Sequence, residues 1–211
     1  FEQDESAARI QVVLRYTAAD SRLANDMLIH PASVATTEEY FEPSSAPIGI
    51  AMVAAIYLAE GSGRLALASS DPHEPPRLDY NYLESAFDRQ RLREGVRICL
   101  SLADREPMAG FIAERLKPTD ADLLSDESLD RWLMANVRTS HHVSGTCKMG
   151  PSSDGAAVVD QRGHVHGMER LRVVDASVMP DCIRANTNAT TLVIAERMAD
   201  LIAEEEAAPT T

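Results

Sequence analysis

Cysteine is scarce in this chain: Cys99, Cys147 and Cys182 are the only three in 211 residues, and no two form a C-x-x-C pair. An odd, widely spaced set argues against a disulfide framework and points to a reducing compartment, so a cytoplasmic location is expected. Basic side chains are also in short supply. With 20 Lys and Arg against 33 Asp and Glu the formal net charge is -13, and no Lys/Arg cluster offsets it. Phosphate backbones and anionic membranes would be repelled, so nucleic acid is not an expected partner. Long apolar runs are missing as well. The stretch from Ile48 to Ala59 is interrupted by Gly49 and is too short to cross a bilayer as a helix, so no membrane span is expected. The opening Phe1-Glu2-Gln3-Asp4-Glu5 has neither an initiator Met nor a basic region followed by an apolar one; it reads as a cut end rather than a secretory signal.

What is present is enough for a core, since 45% of the residues are hydrophobic, and the length suits one large domain or two small ones. Branched apolar residues bounded by Asp, Ser, Asn and Pro predict strands over Arg9 to Tyr16 and Asp26 to His30. Two more are predicted over Ile48 to Leu58 and Arg64 to Ser69, joined as a hairpin by Glu60-Gly61-Ser62-Gly63. Pro31 to Pro47 has no clear period and reads as a loop. From Ser85 the rhythm becomes helical: Leu92, Val96, Cys99, Leu100 and Ala103 recur on one face, with Arg and Glu opposite, which predicts a long amphipathic helix to about Ala103, ended by Glu106-Pro107. Shorter helices are predicted over Ala109 to Leu116 and from Asp126 or Ser128 to about Val137, the latter capped within Ser125-Asp126-Glu127-Ser128. After a glycine-rich stretch, Leu171 to Val174 reads as a buried strand and Ala189 to Glu204 as a closing helix. Strands first and helices later, then a carboxyl-terminal strand and helix, imply an α+β fold.

Chemistry-bearing residues concentrate between Ser140 and Arg197. Three runs stand out: S-H-H-V-S-G-T-C-K-M-G, L-R-V-V-D-A-S-V-M-P and A-N-T-N-A-T-T-L-V-I-A-E-R. An imidazole titrates near neutrality, so His141 or His142 is a candidate base, although either could be an ordinary polar residue beside a turn. Asn186-Thr187-Asn188 precedes a helix; Asn186 is a natural cap, and the unpaired N–H groups of a helix start favour an anion. Asp175 after a strand is a turn former or the next cap.

Two decoys can be set aside. Gly61-Ser62-Gly63-Arg64-Leu65-Ala66 satisfies G-x-G-x-x-A, but a dinucleotide fingerprint must open a helix, and these residues lead into a strand. His142, Cys147, His164 and His166 fit no compact zinc pattern, so no metal is expected, and nothing near Cys147 would orient a Cys-His nucleophile.

Taken together, the three runs resemble the carboxyl-terminal signature of the glucose-methanol-choline (GMC) oxidoreductases, flavin enzymes that oxidise alcohols. Gly61-Ser62-Gly63-Arg64-Leu65 and Asp79-Tyr80-Asn81-Tyr82 support the likeness. The resemblance implies FAD as cofactor, a small-molecule alcohol as substrate, His142 as catalytic base and Asn186 as the polar group holding the substrate oxygen. It implies that Asp175 and Ala176, with Asn186, Thr187 and Asn188, contact FAD. Residues 1–138 correspond by that resemblance to the substrate-binding domain, an antiparallel sheet flanked by helices, and residues 139–211 to the segment that carries the active-site motif and whose strand and helix complete the FAD domain. The family's amino-terminal glycine fingerprint has no counterpart here, so an amino-terminal FAD-binding half or polypeptide is an expected partner. The rival expectation is a non-catalytic fragment or substrate-recognition subunit, and a third is flavin-dependent lyase chemistry.

Overall fold

A computed structural model of the chain describes residues 10, 12–32 and 49–207. Two compact units divide at Val137 and Arg138.

The first unit is built on an antiparallel sheet of three strands, β1 (Leu14–Tyr16), β2 (Met27–Ala32) and β3 (Ala51–Ile56), in the order β1-β2-β3. Strand β2 continues past the expected end at His30 through Pro31 and Ala32. Proline lacks the ladder donor, and it is tolerated here because β1 pairs only as far as Ile29, leaving one side of β2 unpaired at Pro31. Met27 and Ile29 alternate onto one buried face, and helix α1 (Ala86–Ala103) packs against β2 and β3. Met27, Leu92 and Val96 form the core together with Leu129 and Leu133 of helix α2 (Asp126–Asn136). Each such side chain contributes about 1.5–3 kcal/mol on burial.

Charge fixes how these parts meet. Arg91 of α1 is fully buried and donates from Nη1 to Asp26 Oδ2 at 2.9 Å and to the Tyr57 carbonyl at 3.2 Å. Its Nη2 donates to the Leu58 carbonyl at 3.1 Å and to Asp88. Asp26 also accepts from the Ala18 amide at 2.9 Å and the Ser21 hydroxyl at 2.7 Å, so both buried charges have several partners. Helix α1 starts where the helical rhythm was expected to begin, and Ser85 caps it. On its outer side, Arg93 meets Asp130 at 2.7 Å and Arg97 meets Asp126 at 2.5 Å, tying α2 to α1.

Three expectations fail in this unit or need narrowing. Strand β4 (Arg64–Ala66) does not form a hairpin with β3; it pairs with β5 (Arg77–Asp79) in a separate two-stranded ribbon. The Glu60 and Gly61 amides, which a hairpin turn would leave to solvent or ladder, donate to the Asp88 carboxylate at 3.1 and 3.3 Å. Gly63 then backs so closely on the Asp79 carbonyl that a Cβ there would collide with it. The helix expected over Ala109 to Leu116 is only a short 3-10 turn, Met108–Phe111, with Phe111 exposed, because no apolar face there finds a core to cover. Of the first expected strand, Leu14–Tyr16 is regular, and residues 9 and 11 lie outside the described residues, as do 33–47 of the expected loop and residue 48 of the third expected strand.

The second unit holds little regular structure before its last helix, α3 (Thr187–Ala207). Leu171 to Val174 is not a strand but a partly exposed extended segment with one bridge, Arg172 to His164; Leu171 faces solvent. Further bridges join Val159 to Met149 and Val165. Val159, Val178, Met179, Met198 and Leu201 supply the buried apolar residues. At the far end of α3, Glu205 accepts from Arg162 at 2.8 Å and from Arg172, and faces His164 Nε2 at 3.3 Å. Among the described residues no helix is long and apolar enough to cross a membrane.

Candidate active site

Gly145 has φ +82°, a left-handed conformation that suits glycine, and it redirects the chain after the histidine pair. Beyond it the Cys147 amide donates to the Ser177 carbonyl at 3.0 Å and the Met149 amide to the Val178 carbonyl at 2.9 Å. These bonds strap the G-T-C-K-M-G run to the turn that follows Asp175. His141 and His142 diverge: His141 has φ +63° and is exposed, whereas His142 is half-buried. The His142 Nδ1 atom lies 3.2 Å from Thr187 Oγ1, across 45 residues of sequence. The imidazole therefore sits against the first residue of α3.

Asn186 precedes that residue and is exposed, as is Asn188. Helix α3 begins at Thr187, two residues earlier than expected, so the N-T-N run is itself the helix start. Thr191 Oγ1 donates to the Thr187 carbonyl at 2.9 Å, one turn along. The first-turn amides of a helix have no intrahelical acceptor, and with the two exposed carboxamides they make this end rich in donors. Asp175 is extended and its carboxylate caps a 3-10 turn, Ala176–Val178, accepting from the Ser177 amide at 2.7 Å and the Ser177 hydroxyl at 2.5 Å. Its side chain closes its own turn.

Other candidates for chemistry separate in space. His164 Nδ1 meets Asp160 at 3.1 Å, while His166 Nε2 lies 3.0 Å from the Gly150 carbonyl. Among the described residues no group of His, Cys, Asp and Glu is arranged to hold a metal ion. Cys99 is buried in the first unit, and burial pushes its thiol up to about 11. Thr187 is the residue that sequence reasoning underused: its place at a helix start was legible, but the approach of its hydroxyl to His142 was not.

The motifs and the fold are those of a known class. The profile of the family described as GMC oxidoreductase matches residues 59–195, and the chain belongs to that family. It is 42% identical to the oxygen-dependent choline dehydrogenase of Proteus mirabilis over 140 residues, 66% of this chain and 25% of that protein. With the enzyme of the same name from Escherichia coli it shares 40% identity over 147 residues, 70% of this chain and 26% of that protein. The chain thus spans about a quarter of the length of these curated relatives. Among solved structures, pyridoxine 4-oxidase from Mesorbium loti aligns with a TM-score of 0.76 at 27% identity, over 90% of this chain and 37% of that one. A fungal aryl-alcohol oxidase aligns with a TM-score of 0.68 at 29% identity, over 86% of this chain and 28% of that one. The family read from the three motifs and the α+β fold are both borne out.

Proposed function

We propose that this chain is the carboxyl-terminal portion of a FAD-dependent GMC oxidoreductase that oxidises an alcohol to a carbonyl. The observation that carries the proposal is the hydrogen bond of His142 to the first residue of α3, beside Asn186. It brings a titratable base and a carboxamide to one helix start. Residues 1–138 act as the substrate-binding domain, and residues 139–211 bear the reacting side chains and complete the FAD domain in the cytoplasm.

The residues present suit FAD. The α3 start offers amide donors and the carboxamides of Asn186 and Asn188 to an electron-rich ring, and a backbone turn at Asp175 and Ala176 suits the ribityl and pyrophosphate part. When bound, FAD supplies the acceptor for the hydride that leaves the alcohol carbon. His142 takes the hydroxyl proton, which develops alkoxide character on the oxygen as the carbonyl forms. Asn186 cannot titrate, so its amide donates to that oxygen and leaves proton removal to the imidazole. The relatives named for choline, pyridoxine and aryl alcohols support a small-molecule alcohol as the substrate class.

Replacing His142 by Ala in the flavin-loaded enzyme containing this chain is expected to slow substrate-driven flavin bleaching by about 10²–10⁴-fold in stopped-flow traces. A variant that kept most of the rate would refute the role. A second reading, a substrate-recognition subunit serving a separate FAD-binding polypeptide, draws on the exposure of Leu192 and Val193 on α3, 59% and 68%, which suits a covering chain. A yellow complex containing a second polypeptide of distinct sequence favours it; one continuous polypeptide excludes it.

A further inference from the structure

Resting on the reading of His142 as the base, we infer that Thr187 is a positioning residue that selects the tautomer in which His142 can accept a proton. A neutral imidazole carries its hydrogen on one nitrogen and its lone pair on the other. The only hydrogen bond to the ring among the described residues is Nδ1 to Thr187 Oγ1 at 3.2 Å. If the hydroxyl donated to Nδ1, the hydrogen would sit on Nε2, and the opposite edge of the ring could only donate. With Nδ1–H donating to Oγ1, the Nε2 lone pair is held ready for the alcohol hydroxyl. Of the two arrangements, only the second lets this hydrogen bond and the proton transfer coexist without a ring flip.

The geometry also explains why the threonine is at a helix start. Thr187 is the first residue of a 21-residue helix, and its carbonyl already accepts from the Thr191 hydroxyl, so its backbone is held from within α3. Oγ1 is thereby carried on an anchored backbone, and His142, 45 residues earlier in the sequence, is aimed by it. Thr187 acts through His142 and not on substrate.

The test compares Thr187→Val, which keeps the branched shape and removes the hydroxyl, with Thr187→Ser, which restores it, in the flavin-loaded enzyme containing this chain. Nitrogen-15 spectra of histidine-labelled protein, assigned by difference against His142→Gln, read the ring directly. The expected wild-type signature is a protonated Nδ1 and an unprotonated Nε2, lost to a tautomer mixture in Thr187→Val and recovered in Thr187→Ser. The maximal rate of flavin reduction, taken per bound flavin, should fall about tenfold in Thr187→Val, the worth of one hydrogen bond, with substrate affinity little changed. A wild-type ring protonated on Nε2 overturns the assignment. So does a Thr187→Val enzyme with the wild-type ring spectrum, whether or not it loses flavin. If His142→Ala is crippled while Thr187→Val reduces flavin at the wild-type rate, the positioning role falls and the base stands. If neither substitution slows reduction, the base itself is refuted.

Discussion

Arg91 illustrates how one side chain can organise a unit. A guanidinium with no solvent exposure is tolerable because Asp26, Asp88 and two carbonyls surround it. Burial works to raise the Asp26 carboxyl, but the Ala18 amide, the Ser21 hydroxyl and Arg91 outweigh it and hold it below the ordinary carboxylate value. Asp26→Asn leaves Arg91 without its central counter-charge and is expected to cost about 3–5 kcal/mol in urea denaturation followed through Trp132 of the same unit. None of this was legible beforehand: Asp26 read as a strand boundary and Arg91 as one of several outward arginines on a helix. The residues of the candidate site were easier to find. His142 and Asn186 belong to dense motifs, whereas the partner of His142 emerged only in three dimensions.

Among the elements, the long helices were the readable ones, and the short one expected over Ala109 to Leu116 was not. Helix α1 spans the expected residues because its apolar positions repeat every turn and Ser85 caps it; α2 follows the same logic, with Ser125 and Ser128 in a reciprocal capping box. Ser125→Ala removes the acceptor for the Ser128 amide and should lower stability by about 1 kcal/mol in thermal or urea unfolding. Strands β1 to β4 fall on expected segments, but the partner of β4 was not readable. Which strand pairs with which depends on where the intervening amides go. The Glu60 and Gly61 amides go to Asp88, 27 to 28 residues away, so β4 is delivered to β5 and not to β3. The segment at Leu171 to Val174 has strand-like composition but pairs only through a single bridge, because strand character needs a neighbour as well as a pattern.

Over the whole molecule, the two units are stabilised differently. The first has a sheet, two packed helices and a buried ion cluster; the second relies on bends, bridges and a charged clasp at the end of α3. Hydrogen bonds from Arg172 and then Arg162 hold the Glu205 carboxyl below its ordinary 4.5. A depressed carboxyl contributes stability that is complete above its unfolded value and lost as pH falls through the folded one. Helix signal at 222 nm should therefore melt at progressively lower temperature below about pH 4.5. Glu205→Gln should start lower at pH 7 and lose less on acidification; parallel slopes in the two proteins would show that the clasp contributes nothing. By itself the sequence determined the family, the long helices and the two side chains proposed for catalysis, because periodicity, caps and dense motifs are local and survive without neighbours. Tertiary structure alone decided the strand partners, the burial of Arg91 and the meeting of His142 with Thr187. Those depend on groups tens of residues apart, brought together only when backbone donors and buried charges find their acceptors.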